Sequence, residues 1–450
     1  MQSKKNINVL LAGLMVLALL SACAAPAAEE PVVAEPEEEA VVEEETVEEV
    51  EALPLVKVVI MSGPEADGMK TVAQAYTDMT GNPVEIVEQG RDTYLTLIPT
   101  QLLSGTDAFD LAFIQSTMVG ELAQAEAILP LSPYLDALSA EEAQDVDVDD
   151  VLVPAMYDGE IYGLPTDIST LFLFYRSDLI PEPPDTWEET LELAREFSQS
   201  KNSDSPTPFG LAFDGVPGES LPETFYNVMW SFGGEVVDES GSVAVDQAGA
   251  VEAGEFWQTL AEEELVPPEI LSWGFGEVLA AIESGEVAMA VPAWNAMYPI
   301  VLNGTSEFKD VIKVAAVPGV EQDDGSVLRV PYTHSYFFAL NSAGKNLDAA
   351  FKFLAWATGK EGGLIYAKAG GAPSRKSVFT SAELADVRPE FPLMLESLEM
   401  AKLGPPVCYW PEHIDAMNTA LASVLDQSQT PQDAFSTAAE TMRQAKAACE

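Results

Sequence analysis

The chain has 450 residues, with 21 Lys and Arg set against 74 Asp and Glu for a formal net charge of −53. So acidic a composition excludes nucleic-acid binding, since phosphates are neutralised by Lys and Arg, and it argues equally against docking on anionic lipid. Hydrophobic residues make up 47% of the chain, with 19 Phe, 12 Tyr and 7 Trp, enough to build a sizeable core in a body too long for one domain.

Lys4 and Lys5 precede an apolar run from Ile7 to Leu20, which ends in Leu20-Ser21-Ala22-Cys23. A basic start, a short apolar centre and small residues at a cleavage point mark a secretory signal, expected over residues 1–22. The run of 14 residues is shorter than the roughly 20 needed to span the hydrocarbon core, which favours removal over a retained anchor. A Cys directly after the small residues resembles the bacterial lipoprotein signal. That resemblance implies export, lipidation of Cys23 and attachment to the outer face of a membrane. Residues 23–53 follow as Ala, Glu, Pro and Val, with 12 Glu and no base. They cannot bury a core and read as a disordered acidic stalk.

Leu55 to Ile60 is a near-continuous apolar run and reads as a buried strand. Met69, Val72, Ala73, Tyr76 and Met79 then share one helical face, which Gly81 stops. A strand is expected over 84–87, a helix over 92–103 and a third strand over 111–114. Alternating strands and helices imply parallel pairing and an α/β sheet, whose ligands bind at the carboxyl ends of the strands. Asp145, Asp147, Asp149 and Asp150 fail the calcium-loop pattern, because its Gly and Glu positions hold Asp150 and Met156. They read as a solvated acidic turn. Ala250, Ala253, Trp257 and Leu260 share a helical face, which makes Trp257 a core residue. Residues 412–427 and 431–447 read as two helices broken near Thr430-Pro431. An antiparallel hairpin there would bring Cys449 near Cys408, leaving either a disulfide or two thiols.

Several short segments, in order, resemble the extracellular solute-binding proteins of ABC importers, the sugar-binding family that includes maltose-binding protein. They are Thr80-Gly81-Asn82-Pro83-Val84, Leu103-Ser104-Gly105, Phe109-Asp110-Leu111 and Asp158-Gly159-Glu160-Ile161-Tyr162-Gly163-Leu164-Pro165. Leu173-Phe174-Tyr175, Trp230-Ser231-Phe232-Gly233-Gly234, Glu286-Val287-Ala288-Met289 with Trp294, Phe353 to Thr358 and Gly370 to Val378 continue the match to near the C-terminus. The chain departs from the family pattern at Arg176, at Pro292-Ala293 and over Pro331 to Ser335. The resemblance implies a two-lobed α/β fold of the periplasmic binding-protein kind (type II), each lobe an α/β sheet, with a hinge between them. It places the first lobe at 54–167 plus 318–374 and the second at 168–317 plus 375–450. Crossings fall near Thr166 to Ser169, near Pro318 and near Arg375, and Arg375 is expected in an interlobe ion pair.

A sugar needs planar amide and carboxylate groups for its hydroxyls and aromatic plates for its C–H faces. Trp294, Trp230, Trp273, Tyr409 and Trp410 are candidate plates. Asp167, Gln115, Ser116, Glu65, Asp67, Arg91 and His334 are candidate polar contacts, with Asp167 alternatively a hinge or cap residue. No cofactor is expected, and neither His334 nor His413 belongs to a cluster with metal-ligand spacing. The expected function is capture of a neutral sugar, an oligosaccharide by its several aromatics, by a monomer that hands it to a membrane permease through hinge closure. A peptide, polyol or polyamine ligand, or a sensory role, fits the same architecture. Catalysis is not expected: the chain lacks G-x-S-x-G, H-E-x-x-H and a phosphate loop.

Overall fold

The computed structural model describes residues 53–405 and 407–449; the expected signal, Cys23 and the acidic stalk up to residue 52 lie outside the described residues. The strands are β1 (Val56–Met61), β2 (Val84–Gln89), β3 (Leu111–Gln115), β4 (Ala155–Tyr157), β5 (Glu160–Arg176) and β6 (Phe209–Ala212). They continue as β7 (Val287–Trp294), β8 (Ile312–Ala316), β9 (Val320–Glu321), β10 (Val327–Leu328) and β11 (Thr333–Leu340).

β1 reads as a continuous apolar run because it has neighbours on both edges and cover on both faces. It lies parallel to β2 and β3, with Val58 opposite both Ile86 and Leu111. The crossovers are the helices Pro64–Thr80 and Arg91–Leu103. The first begins with Pro at its start and ends at Gly81, whose φ of 74° lets its N–H close on the Thr77 carbonyl.

Nine strands form one sheet in the order β2-β1-β3-β11-β5-β7-β6, with β4 and β8 also paired to β5. The 17-residue β5 is the strand that unites it. Its first part pairs with β11, from Gly163 opposite Ala339 to Thr170 opposite Thr333. Its last part lies between β7 and β8, where Phe172 faces both Ala293 and Ala316. Two hydrophobic cores divide the molecule into two α/β lobes. Leu164 belongs to the first core and Ile168 to the second, while Tyr336 belongs to the first and Tyr332 to the second. Both strands therefore cross between lobes within a few residues of each other. The third crossing follows Tyr366, since Tyr366 packs in the first core and Ala372 and Val378 in the second.

One crossing differs from expectation. The chain returns through β11, not near Pro318. The β9–β10 hairpin stays with the second lobe, because Gly319 exchanges backbone hydrogen bonds with Asp185 and Trp187 and both Val320 and Val330 pack against the second core. The acidic turn is also more than a solvated loop. The Asp150 carboxylate accepts the Ser377 N–H at 2.9 Å and contacts buried Arg375 at 3.3 Å. Arg375 further donates to the Val146 and Thr358 carbonyls, so this ion pair fastens the third crossing. Trp257 is 1% exposed, with Phe213 stacked on it at 4.3 Å. The helices Trp410–Leu425 and Pro431–Cys449 pack as a hairpin, and a disulfide joins Cys408 to Cys449 with their Cα atoms 6.1 Å apart. Among the described residues no helix is long and apolar enough to cross a membrane.

Candidate ligand-binding site between the lobes

Five elements bring side chains to the lobe junction. The last residue of β3 supplies Gln115, and β11 with the residue before it supplies Tyr332, His334 and Tyr336, alternate positions that share one face of a strand. The end of β7 supplies Trp294. The helix Ser220–Ser231 presents Glu223, Asn227 and Trp230 along one side, with Glu219 just before it. The helix Trp410–Leu425 supplies Trp410 and His413.

The rings form a continuous surface. Trp294 stacks on His334 at 4.7 Å and 18°, and Tyr336 meets the same imidazole edge-on at 5.1 Å. Trp230 stacks on Tyr332 at 5.9 Å and 16° and on Tyr226 at 5.4 Å, with the Lys402 ammonium 5.1 Å from its centroid. Trp410 stacks on His413 at 5.0 Å. His413 is fully buried, hydrogen-bonded to the Tyr226 hydroxyl, and burial pushes its pKa down to about 3. It is a neutral structural imidazole.

Carboxylates lie against these rings. Glu223 Oε1 accepts the Tyr332 hydroxyl at 2.8 Å and stands 3.6 Å from His334 Nδ1. Gln115 Nε2 is 3.4 Å from the same nitrogen. Burial, reinforced by the charge of Glu223, pushes both Glu219 and Asp214 up to about 7. Burial likewise pushes the Tyr332 hydroxyl well above its ordinary value, with Glu223 adding to it.

Asp167 lies apart from this cluster, at the first crossing. Its Oδ2 accepts the Tyr366 hydroxyl at 2.9 Å and the Ala372 N–H at 3.0 Å from the third crossing, and its carbonyl accepts the Ser335 hydroxyl at 3.2 Å from the second, so it joins all three crossing segments. Burial, then the charge of Glu65, raises it to about 7. Beside it a cavity of about 20 Å³ is bounded by Glu65, Asp167, Asn295, Gly371 and Arg388. That is room for about one water.

The remaining candidates scatter. Ser116 opens the short turn after β3 and is half-buried, and Tyr409 is buried beside Trp410. Asp67 points outward, its carboxylate 74% exposed and paired with Lys70 at 3.0 Å, because it follows Ala66 off the buried face of its helix. Trp273 is packed against the second core, and its carbonyl accepts the N–H groups of Gly215 and Val216, which fixes the loop carrying Asp214. Its side chain is half-buried. The Arg91 side chain lies outside the described residues. Sequence reasoning missed Asp214, Glu219, Glu223, Tyr332 and Tyr336. The helical spacing of Glu219, Glu223, Asn227 and Trp230 and the strand alternation of Tyr332, His334 and Tyr336 were the available signals.

A model of the bacterial extracellular solute-binding protein family matches residues 62–364. A protein of Brucella abortus named only as a binding protein is 27% identical over 270 residues, 58% of this chain and 61% of that one, so the match spans about three fifths of its length. A "probable amino-acid ABC transporter periplasmic-binding protein" of Sinorhizobium fredii is 26% identical over 404 residues, 84% of this chain and 87% of the relative. A maltose-bound binding protein of T. maritima superposes with a TM-score of 0.75 at 22% identity, over 86% of this chain and 99% of its own. That likeness establishes the two-lobed fold of periplasmic solute-binding proteins.

Proposed function

The chain belongs to the bacterial extracellular solute-binding proteins, and from that premise we propose that it captures a carbohydrate between its lobes and delivers it to the permease of an ABC importer. The carrying observation is the ring-and-carboxylate surface at the junction, with Gln115 from the first lobe opposed to Trp294, Glu223 and Trp230 of the second. Stacked indoles suit the apolar faces of a pyranose, and amide and carboxylate oxygens suit its hydroxyls. Gln115, Glu223 and Trp230 are each no more than 3% exposed, so the surface they form is shut off from solvent. Entry of a sugar therefore requires the lobes to separate about the crossings, and binding favours the closed arrangement.

The protein binds and does not transform its ligand, acts as a monomer, and is exported. Lipidation of Cys23 tethers it, and the stalk lets it turn and dock while keeping it concentrated near its permease. The decisive test is titration calorimetry on the purified body with mono- and oligosaccharides, polyols, amino acids and peptides. Saturable heat with a carbohydrate supports the reading; heat with a peptide or amino acid alone overturns it.

A further inference from the structure

Three acidic side chains meet at one end of the Ser220–Ser231 helix. Glu219 precedes it, Glu223 lies on its first turn, and Asp214 comes from the loop after β6. Asp214 is 3% exposed and Glu223 2%. Asp214 Oδ1 has no hydrogen-bond partner among the described residues. Gln115, 1% exposed, reaches this cluster from the other lobe, and its Oε1 is also unpartnered. Its Nε2 stands 3.4 Å from the imidazole nitrogen that contacts Glu223. Among the described side chains, the base that faces Glu219 and Glu223 is His334. Gln115 and Trp410 donate to Glu219, Ser220 to Asp214 and Tyr332 to Glu223, which still leaves Asp214 Oδ1 and Gln115 Oε1 as buried acceptors without donors, a costly arrangement.

An unpartnered donor completes the picture. The indole N–H of Trp230 is buried without an acceptor, whereas that of Trp410 donates to Glu219. A simple alkylammonium would answer the carboxylates but leave the Trp230 indole unsatisfied. A neutral sugar would offer hydroxyls to both but leave buried negative charge uncompensated. Resting on the carbohydrate reading above, we propose that the site selects an amine-bearing carbohydrate, with its ammonium among Asp214, Glu219 and Glu223 and an oxygen turned to the Trp230 indole. The neutral sugar expected from the sequence is thereby narrowed to a cationic one. Rings around the cation add to the attraction.

Protonation supports the geometry. With Glu223 as neighbour to both, His334, Gln115 and Trp410 facing Glu219, and Ser220, the Val216 N–H and Glu277 facing Asp214, the two carboxyls raised to about 7 share protons with solvent near pH 7. An arriving ammonium favours their charged forms and drives those protons off.

The test is calorimetry on the purified protein at pH 7 with short glucosamine oligomers, their N-acetylated counterparts, maltose and spermidine, each in two buffers of different ionisation heat. The amine oligomers are expected to bind at least about tenfold more tightly than the N-acetylated ones, with net proton release revealed by the buffer dependence. Glu219→Gln is expected to weaken binding of the amine oligomers by a larger factor than binding of the N-acetylated ones, shrinking that preference. The proton readout needs no variant, so misfolding of one leaves the test intact. Equal or tighter binding of the neutral sugars overturns the proposal and leaves the carbohydrate reading standing. Binding of spermidine with no carbohydrate overturns both.

Discussion

Trp294 shows what one side chain contributes at the lobe junction. It ends β7, is 7% exposed, and lies flat on His334. Trp294→Ala is expected to weaken carbohydrate binding at least tenfold, about 1.4 kcal/mol, with the far-ultraviolet dichroism of the folded chain retained; calorimetry on the variant checks it. Asp167 makes a second residue-scale prediction. Its folded-state pKa is raised from 3.8 to about 7, so the folded state holds a proton that the unfolded chain releases. The associated stability is complete below pH 4 and is lost as pH rises toward 7. Asp167→Asn keeps an acceptor for Tyr366 and Ala372 while removing the charge. It should therefore raise the melting temperature at pH 8 by a few degrees and leave it nearly unchanged at pH 4, read by calorimetric melts at both. His413 acts with the opposite sign: its lowered pKa withdraws stability as pH falls below 6.5, so the variant must be compared with wild type at each pH.

At the scale of elements, local chemistry and packing can be separated. The helix Trp187–Glu196 starts where Thr186 and Glu189 cap each other, Glu189 N–H to Thr186 Oγ1 at 3.2 Å and Thr186 N–H to Glu189 Oε2 at 3.2 Å. That signature is written in the sequence. The approach of the helix Pro64–Thr80 to the helix Lys360–Lys368 is not. A Cβ at Gly68 would stand 2.7 Å from the Tyr366 ring, so glycine is what allows Tyr366 to reach Asp167. The C-terminal hairpin depends on the disulfide between residues separated by 41 positions. Closing a loop of that size stabilises by about 4 kcal/mol in the chain-entropy model. Reduction should lower the melting temperature and, because Trp410 lies two residues after Cys408, also weaken ligand binding; a melt and a titration with and without reductant check both.

The whole molecule turns on the three crossings at 165–167, 333–335 and just after Tyr366. They are close together and joined by Asp167, so the lobes can rotate about one narrow band while each core stays intact. Saturating ligand is expected to reduce the radius of gyration measured by small-angle scattering and to slow amide exchange at the crossings. No change in either would show that the lobes do not move on binding. The strands, the helical faces, the cap at Gly81 and the ordered family motifs were all legible from the chain, because each is set by residues within one turn or one strand of each other. Of the site, Trp294, Trp230, Trp410, Gln115 and His334 were legible as types in loops and strand ends. Their arrangement was not: Gln115 meets His334 across 219 residues, and Tyr332 meets Glu223 across 109. Which side chains meet at that range is decided when two separate cores bury their apolar faces against one shared sheet, and no local periodicity records it. The sequence by itself therefore determined that this is a two-lobed solute-binding chain. Only the tertiary structure decided that buried carboxylates lie where the lobes meet.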